Sequence, residues 1–104
     1  MEDENLIDPD IKKIIDILIA IGNKINSDTD VAWTHFDNAK QLQDNLSNEI
    51  KKLQSANYED LGQIYLWFLP TGAFQELSIS NGWGEEYIEW AEAFDRALEK
   101  FRAT

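Results

Sequence analysis

Apolar side chains recur along this chain at intervals of three and four residues, the period of a helix with one buried face. Asp8-Pro9 opens the first such segment, a carboxylate cap followed by proline at the first helical position. Ile11, Ile14, Ile15, Leu18, Ile21 and Ile25 follow at that spacing, and Ile17 and Ile19 widen the stripe. A helix that is apolar around so much of its circumference is largely buried, which predicts the central member of a bundle. Isoleucine-rich segments also suit strands, but the length of this one and its 3.6 period favour a helix. Residues 26–30, Asn-Ser-Asp-Thr-Asp, read as the first loop.

The second helix is expected to begin within residues 30–34 and to run to about residue 56. Thr34 with Asp37 three positions on resembles a capping box with aspartate in the usual place of glutamate. Phe36, Ala39, Leu42, Leu46, Ile50 and Leu53 form a narrow stripe among polar residues, the pattern of a surface helix with one face on the core. Asn57, with Asp60 three later, is the candidate cap of a third helix over residues 61–69. Pro70 ends it, since proline disfavours helical geometry in Leu69 and lacks the next donor. Thr71 is placed to cap a short fourth helix through Ser80, stopped by Asn81-Gly82. Asn81-Gly82 also suits a hairpin turn, but no second strand follows it. A fifth helix spans about residues 84–101 on the stripe Tyr87, Trp90, Ala91, Phe94, Ala97, Leu98 and Phe101. The predicted fold is all-α, a compact bundle of four to five helices in one domain covering residues 1–104. Residues 1–7 are expected to form a loosely ordered acidic tail.

With 104 residues the chain has material for one core, and 43% hydrophobic content is enough to fold it. The absence of cysteine excludes disulfides, thiolate zinc sites and a cysteine nucleophile. No apolar run approaches the ~18 residues of a membrane span, and Met-Glu-Asp-Glu is the opposite of a signal peptide's basic start. A cytoplasmic protein with no membrane contact is expected.

Charge changes the picture more. The net charge is −11, which argues against direct binding of nucleic acid or anionic lipid and points to basic partners. Residues 53–95 contain no lysine or arginine, yet hold eight acids: Glu59, Asp60, Glu76, Glu85, Glu86, Glu89, Glu92 and Asp95. Trp67, Trp83 and Trp90 lie in the same window, and the cations cluster in residues 12–24, 40–52 and 96–102. Such segregation either makes a field that steers a cationic partner or simply keeps the protein soluble.

Catalytic chemistry is poorly represented. His35 is the only histidine and no nucleophile elbow accompanies it, so it reads as a surface or capping residue. The five glycines make neither a phosphate loop nor a dinucleotide fingerprint. Asn26, Asp28, Asp30 and Asp37 match positions 1, 3, 5 and 12 of a calcium loop. Val31, however, stands where the turn needs glycine, and polar loop residues account for the match. No catalytic residue, metal ligand or cofactor is expected, and the protein is read as a non-enzyme.

The most unusual local pattern is Asn81-Gly82-Trp83-Gly84-Glu85-Glu86-Tyr87. Trp83 between two glycines reads in two ways. It is an aromatic anchor ringed by charges that select a cationic partner, or a hydrophobic plug between two helices whose glycines permit the turn. Trp67, Phe68, Trp90 and Phe94 sit on apolar faces and are expected in the core.

Residues 66–95 resemble a pattern found in small bacterial immunity proteins of contact-dependent growth-inhibition and polymorphic toxin systems. The likeness is carried by the Pro70-Thr71-Gly72 turn, Gln75-Glu76, Asn81-Gly82-Trp83, the following acidic pair and Phe94-Asp95. It covers under a third of the chain. The resemblance implies an inhibitor that binds one cognate toxin domain, often a basic nuclease, in the cytoplasm of the producing cell. Glu59, Asp60, Glu76, Trp83, Glu85, Glu86, Glu89 and Glu92 are the candidate partner-binding residues. The alternatives are a general acidic interaction module, such as an antitoxin-like adaptor or nucleic-acid mimic, and, less favoured, a metal-assisted hydrolase on helical carboxylates.

Overall fold

A computed structural model describes residues 8–31, 36–69 and 72–103. The described residues form five helices and no strand: α1 (Pro9–Gly22), α2 (Ala39–Gln54), α3 (Leu61–Trp67), α4 (Ala73–Ser80) and α5 (Gly84–Ala103). The all-α bundle read from periodicity is the observed architecture. The acidic tail of residues 1–7, the Thr34 cap, His35, Pro70 and the Thr71 cap lie outside the described residues.

α1 starts where Asp8 caps it, its carboxylate accepting from the N–H groups of Asp10 at 2.8 Å and Ile11 at 3.4 Å. Its buried residues are Ile11, Ile14, Ile15, Ile17, Leu18 and Ile21, and it packs against both α2 and α5. That two-sided burial is what its wide apolar stripe requires.

α2 starts later than its stripe suggests, at Ala39 rather than within residues 30–34. Asn38 Oδ1 accepts from the Gln41 N–H at 2.8 Å, and Gln41 Oε1 accepts from the Asp37 N–H at 2.7 Å. This reciprocal cap uses the Asn-x-x-Gln spacing at residues 38–41 and fixes the helix start there. Phe36 precedes the helix but is still buried, edge-on to Trp67 with ring centroids 6.4 Å apart. At the other end the helix stops at Gln54, two residues short of the expected end, because Ala56 turns left-handed at φ 61°.

Asn57 does not cap α3. It makes a local turn, Oδ1 accepting from the Glu59 N–H at 3.1 Å, while Asp60 holds the cap position without a side-chain cap bond. The helix ends at Trp67, and Phe68 and Leu69 continue only as tighter turns onto the Tyr65 and Leu66 carbonyls. Gly72 begins α4 pressed against that end, where a Cβ would lie 2.5 Å from the Leu66 carbonyl oxygen. Only glycine fits so close a backbone approach.

The core gathers around Phe68. Its ring stacks on Phe94 at 4.0 Å and 8°, meets Phe74 edge-on at 5.0 Å, and lies near-parallel to Tyr87 at 6.0 Å. Phe74 and Phe94 are fully buried, and each such ring contributes about 2–3 kcal/mol of hydrophobic stabilisation. Trp67, Phe68 and Phe94 take the core positions expected of them, whereas Trp90 is half-buried at the core's margin. No helix among the described residues is long and apolar enough to cross a membrane.

Candidate functional site

The acidic end of α5 is positioned by the way α4 stops. The Trp83 N–H bonds to the Ser78 carbonyl at 2.9 Å and the Gly82 N–H to that of Ile79 at 3.4 Å, with Gly82 left-handed at φ 82°. This pair of bonds is the Schellman arrangement, and it redirects the chain straight into α5. Asn81 then ties the joint to the loop after α1. Its Oδ1 accepts from the Asp30 N–H at 2.9 Å, and its Nδ2 donates to the carbonyls of Asp30 at 3.0 Å and Leu77 at 2.8 Å. Asn26 Oδ1 in the same loop accepts from the Asp28 N–H at 2.8 Å, a local turn at the start of the calcium-like spacing, of which residues 32–35 lie outside the described residues. Among the described residues no three acidic or imidazole side chains converge as a metal site would require.

Trp83 lies inside. Its ring is 5% exposed, sits 6.0 Å from that of Trp90, and its indole Nε1 is buried without a hydrogen-bond partner. Gly82, left-handed just before it, lets the chain turn around this plug, whereas Gly84 is already helical and has room for a Cβ. In the isolated fold the ring is not displayed as an anchor.

The candidate acids do not form one patch. α5 has 20 residues and is therefore ~30 Å long. The Tyr58 ring packs on Phe101 at 5.2 Å, which puts the neighbouring Glu59 and Asp60 near the C-terminal end of α5. Glu85 and Glu86 stand in its first turn, more than ~20 Å away along the axis. Glu76 is half-buried in the first turn of α4.

Two of the acids are neutralised by lysines from outside the lysine-free window. Lys24 Nζ lies 2.7 Å from Glu86, and Lys52 Nζ lies 2.6 Å from Asp60. The Lys52 ammonium holds the Asp60 carboxyl below its ordinary value, and Asp60 in turn holds Lys52 above its own. Glu49, with one oxygen buried, faces Asp60 from α2; burial and then its bond to Asp60 push its carboxyl up. Tyr87, buried beside Asp95, is pushed up to about 12, first by burial and then by that negative charge. Its hydroxyl is a core group rather than a proton donor at neutral pH.

What remains outward is a row on α5. Glu85, Glu89 and Glu92 are exposed, and among the described residues none has a cation within ion-pair distance. Helical geometry puts them within about 60° of one another over ~10 Å of axis, ahead of Arg96. Glu86 turns away from this row toward the segment just after α1, where Lys24 meets it. Ile79 and Ile88 stand beside the row, exposed by 60% and 55%. Sequence reasoning missed these two isoleucines, although each interrupts an otherwise polar face, and it gave no sign that Asn81 bonds to the loop after α1. The contacts of Lys24 and Lys52 had no local signal.

Compared with known protein families, curated proteins and solved structures, the chain shows no significant similarity to any of them.

Proposed function

We propose that the protein is an immunity protein, a cytoplasmic binder that neutralises one cognate basic toxin domain without performing chemistry. The observation that carries this reading is the division among its acids. Glu86 and Asp60 are paired within the fold, whereas Glu85, Glu89 and Glu92 form an exposed row with no such pairing among the described residues. Solvated carboxylates whose backbone is held in a row on a packed helix steer a cationic surface. A nuclease cleft is such a surface, because it must grip phosphate. Glu59 and Asp60 lie apart from the row, Glu76 is half-buried on α4, and all three have secondary parts in this reading. Trp83 supports the joint that aims it.

The test pairs this protein with the C-terminal domain encoded by the neighbouring upstream gene. Expression of that domain in a test bacterium should arrest growth, and co-expression of this protein should relieve the arrest and co-purify with it. The variant Glu85→Lys/Glu89→Lys/Glu92→Lys should fold normally and lose protection, because it sets like charges against a cationic surface and turns attraction into repulsion. A folded triple variant that still protects would remove the row from the mechanism. Binding of many unrelated basic proteins with similar affinity would favour the general acidic module instead.

A further inference from the structure

We infer that the outward face of α5 takes an amphipathic cationic helix rather than a purely charged surface, with Ile79 and Ile88 as its apolar seat. This rests on the acidic-row reading and says what kind of partner surface the row accepts. A Cβ on Gly84 would lie 3.9 Å from Ile79 Cγ1, so the Ile79 side chain reaches across the start of α5. Ile88 is one turn farther along the same side of the helix. The two side chains, 60% and 55% exposed, thus form a short apolar strip that crosses the α4–α5 joint. Glu85 and Glu92 stand one turn before and after Ile88, Glu89 beside it, and Asp95 two turns on, all exposed.

An apolar strip bordered by like charges selects its occupant by complementarity. A second copy of this chain would bring its own acids against the row, which repulsion opposes. A surface of opposite sign with apolar residues at helical spacing satisfies both parts, as in helix-in-groove recognition. Each isoleucine is already a little under half covered, so completing the burial of both should raise affinity on the order of thirty-fold.

The experiment uses the full chain and three synthetic 18-residue probes. The first is a leucine–lysine peptide with its leucines on one helical face, the second has the same composition scrambled, and the third is oligolysine. Titration followed by calorimetry and by amide shifts of the isotope-labelled protein should show the one-faced peptide binding on the order of thirty-fold more tightly than the scrambled one. Shifts should centre on Ile79, Glu85, Ile88 and Glu92. Ile79→Ser/Ile88→Ser, both at exposed positions, should abolish that preference while leaving oligolysine binding unchanged. Equal binding of the two leucine–lysine peptides, or a preference retained by the double variant, overturns the apolar seat and leaves the acidic row standing. Failure of all three probes to bind overturns the row as well. Sedimentation showing self-association that the double variant abolishes would assign the strip to a second copy and overturn the inference.

Discussion

Two helices in this protein end in the same hydrogen-bond arrangement but with different residues at its left-handed position. α4 has Gly82 there at φ 82°, and α2 has Ala56 at φ 61°. In α2 the Asn57 N–H reaches the Lys52 carbonyl at 2.8 Å and the Ala56 N–H that of Leu53 at 3.0 Å, so the geometry is fully made. An alanine Cβ in this conformation costs about 1–2 kcal/mol, against the 0.4–1 kcal/mol by which glycine loosens the unfolded chain. Ala56 is exposed, so little packing is lost with its methyl group. Ala56→Gly should therefore stabilise the protein by about 0.5–1 kcal/mol, a rise in Tm of about 3–6 °C for a domain of this size. Gly82→Ala is the reciprocal change. A Cβ there meets nothing within 4 Å, so backbone strain acts alone and should lower stability by a similar ~0.5–1 kcal/mol. Urea unfolding followed by tryptophan fluorescence and by circular dichroism checks both, with m unchanged in each case. A destabilised Ala56→Gly variant, or a Gly82→Ala variant as stable as the parent, would refute the argument from left-handed strain.

Other perturbations test how the acidic row is held. Asn81→Ala removes bonds to Asp30 and to the Leu77 carbonyl and should cost about 1–2 kcal/mol, with faster hydrogen exchange at the Asp30 amide. Gly72→Ala forces a Cβ toward the Leu66 and Trp67 carbonyl oxygens, at 2.5 and 2.8 Å, and should cost about 2–3 kcal/mol in thermal unfolding. Glu49 holds its proton more tightly in the folded state than in the unfolded chain, so its contribution to stability falls as pH rises from its ordinary 4.5 through its folded value. Asp60 acts in the opposite sense, its contribution being present above 3.8 and lost as pH falls below that. Glu49→Gln should therefore raise Tm at pH 7, raise it less at pH 4, and leave acid unfolding driven by Asp60 in place.

Local patterns in the sequence were enough to show an all-α chain and to place its helices, though not all of their ends. Spacing at three and four marks a buried face wherever the chain happens to pack, so the stripe of α1, with Ile11 through Ile21, and that of α5, with Tyr87 through Leu98, were legible without a partner in view. Asp8-Pro9 and Asn81-Gly82 were equally legible, because caps and stops act through bonds to adjacent residues. The start of α2 was not. Several cap-forming residues compete between residues 26 and 38, and the Asn38–Gln41 pair prevails although Phe36 already faces the core. Tertiary structure alone decided which acids stay available. Lys24 reaches Glu86 and Lys52 reaches Asp60 only because the segments that carry them fold together. The acids of one lysine-free window in sequence thus divide into two that are paired, Asp60 and Glu86, and an outward row, Glu85, Glu89 and Glu92, that runs past Glu86 on another face of the same helix. Periodicity tells which face of a helix is wet. It does not tell which neighbour lies across from a charge, because ion pairing depends on distances that only packing sets.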